Sequence, residues 1–134
     1  MFKTKHPKPN SRIDTLIGSG SRVSGDVHFV GGLRIDGAVK GNVIADDDGT
    51  VVLSEQGSVE GEIRVAHAVI DGKVVGSVHG SEGVELQAKA NVSGDVHYKS
   101  LEVQLGAIVQ GRLVHLADAR GAEKVISFKA GSAD

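Results

Sequence analysis

The sequence predicts an all-β chain, a single solenoid of about six short coils stacked into a rod. Three observations predict it. A five-residue unit (aliphatic, any, Gly, any, aliphatic) recurs six times, with Gly-to-Gly steps of 16, 20, 15, 18 and 17 residues. Between these units stand pairs of apolar residues two apart, a half-buried strand signal. The composition fits a thin interior. Hydrophobic residues make up 40% of 134, yet only Phe2, Phe29, Tyr98 and Phe128 are aromatic, so the core has to be filled by aliphatics. Gly is abundant at 19 while Pro is confined to Pro7 and Pro9, which places the glycines in an ordered pattern and not in a linker.

Residues 1–14 come first, rich in Lys, Pro, Asn and Ser, and are expected to form a disordered basic arm. Residues 1–12 carry Lys3, Lys5, Lys8 and Arg12 and no acid, whereas the remainder has 11 basic and 17 acidic residues. An acidic body argues against nucleic-acid binding. A basic arm seeks an anionic surface, and Met1, Phe2, Lys3, Lys5 and Lys8 are its predicted membrane contacts.

The solenoid is expected over 15–116. Its six units are Val23-Ser24-Gly25-Asp26-Val27, Val39-Lys40-Gly41-Asn42-Val43, Val59-Glu60-Gly61-Glu62-Ile63, Val74-Val75-Gly76-Ser77-Val78, Val92-Ser93-Gly94-Asp95-Val96 and Val109-Gln110-Gly111-Arg112-Leu113. The aliphatic ends of these units are the predicted core. The shorter pairs are Leu33/Ile35, Val51/Leu53, Ala68/Ile70, Val84/Leu86 and Leu101/Val103, and Ile17 is the remnant of an earlier one. Strands this short cannot bury a face alone, and stacking identical coils puts each Val on the Val of the next. A period near 17–18 residues suits a triangular coil. Six coils at about 4.8 Å make a rod roughly 29 Å long. Helix is opposed by the frequent Gly, the β-branched residues and the period-two alternation. The central Gly of each unit lies on the inward parity, which implies either an interior too narrow for a third side chain on that wall or a bend there. Val52, Val69 and Val75 point outward; Val52 and Val69 occupy equivalent places on neighbouring coils and form a candidate stripe for lateral contact. Residues 117–134 are a flexible tail, with a short capping strand expected over 124–128.

Chemistry is sparse. With no Cys there is neither a disulfide nor a thiolate site. No apolar run approaches 18 residues and no signal-peptide core is evident. Gly18-Ser19-Gly20 begins like a dinucleotide loop, but Val23 and the lack of a following helix make it a turn. Asp46-Asp47-Asp48-Gly49 lacks the spacing of a calcium loop. His28, His79 and His97 each follow the second aliphatic of a unit, and His79 and His97 fall on adjacent coils about 5 Å apart. Without a third fixed ligand they read as a solvated stack. No cofactor, metal or catalytic residue is assigned.

A β-solenoid exposes unpaired backbone groups at both ends, and no capping helix is evident, so stacking one molecule on another satisfies both. Phe128, Ile126, Leu16 and Ile17 are the expected contact residues. The six repeats, a short tail on each side and the start Met1-Phe2-Lys3 together resemble a bactofilin. That resemblance implies a right-handed β-helix, nucleotide-independent filaments, a cytoplasmic place on the inner face of the membrane, and a scaffold for envelope-synthesis or cell-shape proteins. The alternative is a hexapeptide-type trimeric enzyme, an acyltransferase or γ-carbonic anhydrase. Its stricter six-residue beat is broken here by gaps of 4 and 6 between each apolar pair and the next unit. A monomeric adaptor is a third reading.

Overall fold

A computed structural model of the chain describes residues 12–46 and 48–116, together with the backbone of Val125–Ile126. The first coil holds β1 (Thr15–Ile17), β2 (Arg22–Ser24) and β3 (Val27–Phe29). The second holds β4 (Gly32–Ile35), β5 (Ala38–Lys40) and β6 (Val43–Ala45). The third begins with β7 (Thr50–Leu53) and β8 (Ser58–Glu60). Two long strands, β9 (Ile63–Ile70) and β11 (Val78–Leu86), run across a corner from one coil into the next, with β10 (Lys73–Val75) between them. The fifth coil closes with β12 (Asn91–Ser93) and β13 (Val96–Tyr98). The sixth is β14 (Leu101–Val103), β15 (Ile108–Gln110) and β16 (Leu113–His115). A final β17 (Val125–Ile126) lies antiparallel on β16.

The coils stack as three parallel faces. The first face contains β1, β4, β7, the second halves of β9 and β11, and β14. The second contains β2, β5, β8, β10, β12 and β15. The third contains β3, β6, the first halves of β9 and β11, β13 and β16. The register follows the repeat. Val23, Val39, Val59, Val74, Val92 and Val109 form one inward column, and Val27, Val43, Ile63, Val78, Val96 and Leu113 another. Ile17 pairs in register with Ile35, so the first coil has a full first face. Columns of like aliphatics bury their sides against one another, which isolated three-residue strands cannot do. Ten of these twelve aliphatics are buried; Val23 and Val27 are half-buried because no coil precedes the first among the described residues.

Of the two readings of the central Gly, the narrow wall is not what the structure has and the bend is: the Gly of each unit is the corner between the second and third faces. Gly25, Gly41, Gly61, Gly76 and Gly94 have φ between 122° and 156°, open to Gly and unfavourable to L side chains. A Cβ on Gly76 would point along the rod, into the carbonyl of Gly61 one coil earlier. The bend is the reason for the Gly. One expectation needs correction: the interior is not purely aliphatic. Phe29 and Tyr98 are buried, each stacked on a small residue of a neighbouring coil, Ala45 and Gly80 respectively. The missing volume next door is what admits each ring.

Asp14, expected within the arm, is tied to the second coil. Its N–H donates to the Gly32 carbonyl at 2.9 Å and its Oδ2 accepts from the Gly32 N–H at 3.0 Å. Lys124, Ser127 and Phe128 of the expected capping strand lie outside the described residues.

Candidate assembly surfaces

Parallel stacking leaves strand edges open where the stack stops. Among the described residues, β1, β2 and β3 at the N-terminal end each have a single neighbour, on the C-terminal side. The inward residues Ile17, Val23 and Val27 are only half-buried there. At the C-terminal end β14 and β15 have one neighbour each among the described residues, while β16 is flanked by β13 and β17. That end is also apolar. Val103, inward in its column, is 40% exposed; Leu105 is 96% exposed and Ile108 45%. Covering such residues from water is favourable, because buried apolar area contributes about 25 cal/mol per Å².

The predicted contact residues fall in different places. Ile17 is at the open N-terminal end. Leu16, 57% exposed, points outward from the first face and not into the end. The backbone of Ile126 pairs with Leu113, which puts β17 on one edge of the C-terminal end. Phe128, Met1, Phe2, Lys3, Lys5 and Lys8 lie outside the described residues.

The corners hold a ladder of side chains that the repeat count missed. After three of the six corner glycines, Asp26 Oδ1 accepts from Asn42 N–H at 3.0 Å, Asn42 Oδ1 from Glu62 N–H at 2.9 Å, and Asp95 Oδ1 from Arg112 N–H at 2.9 Å. At another corner Asp71 Oδ1 accepts from Lys89 N–H at 2.9 Å. Each side chain reaches one coil toward the C-terminus and satisfies an amide that the turn leaves unpaired. The bond from the Arg112 amide, with the Arg112 guanidinium beside it, holds the Asp95 carboxyl below the usual carboxylate range. The recurring Gly-Asp and Gly-Asn steps were the available signal. The ladder is interrupted at Glu62 and Ser77, and at Arg112 the side chain has no acceptor to offer a following coil.

The third face brings His79 and His97 together as register partners, stacked with ring centroids 5.4 Å apart. Burial first, then the neighbouring His97 and Arg64, push His79 below the ordinary imidazole value. His28 pairs with Ile44, away from them. Among the described residues no group of three His, Cys, Asp or Glu is placed to hold a metal. Asp46 and Asp48 are exposed on a corner, and Asp47 lies outside the described residues. Gly18-Ser19-Gly20 closes a turn, with Ser21 N–H donating to the Gly18 carbonyl at 3.0 Å.

A family profile for bactofilins, described as polymer-forming cytoskeletal proteins, matches residues 15–114, the whole stack of coils. The chain belongs to the bactofilin family. Two curated relatives come from Myxococcus xanthus (strain DK1622). Bactofilin BacP is 27% identical over 114 residues, 84% of this chain and 47% of the relative. Bactofilin BacO is 29% identical over 100 residues, 75% of this chain and 78% of the relative. The chain thus spans about half the length of BacP. No solved structure gives a significant match. In a bactofilin, the open ends and outward faces of the coil stack are the surfaces available for self-association.

Proposed function

We propose that this bactofilin assembles end to end into filaments without nucleotide or metal, attaches to the inner face of the cytoplasmic membrane through its N-terminal arm, and scaffolds cell-envelope or cell-shape machinery. The supporting observation is the pair of open ends. Both present unpaired strand edges beside incompletely buried aliphatics, and joining two ends covers both together. Polymer pelleting is expected to be the same with ATP, with EDTA and with neither; a requirement for either additive would refute the nucleotide- and metal-independent reading.

The attachment rests on electrostatics. Each basic residue near an anionic bilayer contributes about 1 kcal/mol, so Lys3, Lys5 and Lys8 bind weakly alone and release in salt. A filament displays many arms, and avidity turns weak contacts into stable attachment. Liposome co-sedimentation should show binding by the full chain, stronger on anionic than on neutral lipid, and loss of binding on deleting residues 1–8. Equal pelleting of the truncated chain would remove the arm as anchor.

A further inference from the structure

We infer that the first face of the solenoid is a lateral docking surface for a second copy of this chain lying antiparallel to it. The outward column of that face reads Leu16, Arg34, Val52, Val69, Glu85 and Glu102 from the first coil to the sixth. The four middle positions are complementary about a centre between the third and fourth coils, while the outermost two, Leu16 and Glu102, fall on each other without complementarity. A two-fold axis lying in the contact plane and crossing the rod at that centre lays Val52 of one copy on Val69 of the other and Arg34 on Glu85, each twice. Such self-complementarity is what an isologous contact requires.

Three details support this occupant. The half-buried Val52 and Val69 are paired in register, which places an apolar centre between charged flanks. A groove of about 290 Å³ opens beside them, lined by His67, Val69, Val84, Glu85, Ser100 and Glu102. Glu85 Oε2 accepts from Gln87 Nε2 at 3.0 Å, but neither carboxylate has a cation beside it among the described residues, and the antiparallel copy delivers Arg34 to Glu85. Arg34 is held upright by one bond, Nε to Asp36 Oδ1 at 2.9 Å, and its guanidinium is about half exposed. Turning the second copy parallel instead sets Arg34 against Arg34 and Glu85 against Glu85, which is repulsive. The other faces have no such match. The same operation puts Glu60 on Val75 in the second face and Arg64 on His79 in the third.

A face six coils long and one short strand wide is smaller than the roughly 800 Å² per partner of a standard stable interface. One pair is therefore weak, and the contact gains strength from repetition along filaments. For that strength, though not for its geometry, the inference rests on the end-to-end assembly proposed above.

The test uses introduced cysteines, since the chain has none. Arg34 and Glu85 stand three coils apart on one molecule, about 14 Å, too far for an internal disulfide. The full-length Arg34→Cys/Glu85→Cys double variant, oxidised after filaments have formed under reductant, is expected to yield covalent dimers and larger species on a non-reducing gel. Each single variant is expected to yield less than a tenth as much. Arg34→Glu and Glu85→Arg are each expected to abolish bundles seen by electron microscopy while leaving single filaments, and combining them is expected to restore bundles. Strong cross-linking of Arg34→Cys alone means a parallel contact and overturns the inference. So does its absence from the double variant when single filaments are present. Absence of filaments altogether, with cross-linked dimers still forming, overturns end-to-end assembly and leaves the lateral contact standing.

Discussion

Gly76→Val is expected to melt far below the parent chain, while Gly18→Ala melts within a few degrees of it. Gly76 sits in the middle of the stack at φ 142°, and any Cβ there meets the carbonyl of Gly61. Two penalties add. A non-Gly residue in a sparsely populated backbone region costs about 1–3 kcal/mol, and forcing atoms into a packed site typically costs a further 1–3 kcal/mol or so. Relief requires the two coils to part, and that breaks the flanking bonds, Gly61 N–H to Val75 O and Ile63 N–H to Ser77 O, both 2.9 Å. Gly18 is the control because a Cβ added there would meet nothing within 4 Å. For a domain of about 100 residues each kcal/mol lowers the melting temperature by about 4–8 °C, so the two variants should separate clearly in circular dichroism melts. Equal melting of Gly76→Val and the parent would mean that the corner is not close-packed.

The architecture was legible because a solenoid writes its period into the chain. Val-x-Gly-x-Val placed the second and third faces, and Leu33/Ile35 with its equivalents placed the first. Even the uneven gaps have a structural meaning. Asp36-Gly37 and Asp71-Gly72 turn the short corners, whereas Ser54-Glu55-Gln56-Gly57 turns a long one. What parity counting missed was anything defined by three-dimensional curvature. The Gly of each unit falls on the inward parity when the chain is read as one straight strand, but the strand ends there and a new face begins. Phe29 and Tyr98 were hidden for a related reason: their room comes from Ala45 and Gly80, which are 16 and 18 residues away and adjacent only in the stack. The surfaces were harder still. Val52 and Val69 are visible as outward apolar residues in sequence, but the match of Arg34 to Glu85 exists only once all six coils are placed in register. Open ends leave no local pattern, and the 40% exposure of Val103 exists only because no coil lies above it among the described residues.

Charges placed at the open ends are expected to leave folded monomers and short oligomers in place of filaments. Val103 is suited to this at the C-terminal end. It stacks on Leu86 below and is 40% exposed above, so Val103→Glu can direct its carboxylate to water in the monomer but not in a closed contact. Ile17 is its counterpart at the N-terminal end, half-buried on Ile35. Losing the burial of one aliphatic removes about 1.5–3 kcal/mol from the contact. Desolvating a carboxylate without a partner adds several kcal/mol more. A combined loss of at least about 3 kcal/mol weakens each end contact more than a hundredfold. Because a filament closes every subunit through both ends, either variant alone should terminate growth, and the effect is expected to exceed that of any substitution on the outward faces. The ladder residues give an internal check on folding: Asp95 and Arg112 stay bonded across the fifth and sixth coils if the stack is intact, so the far-ultraviolet spectrum of Val103→Glu should match that of the parent. Sedimentation velocity reads the assembly state. Parent-like filaments from both Val103→Glu and Ile17→Glu would show that the subunits join through some surface other than the ends of the solenoid.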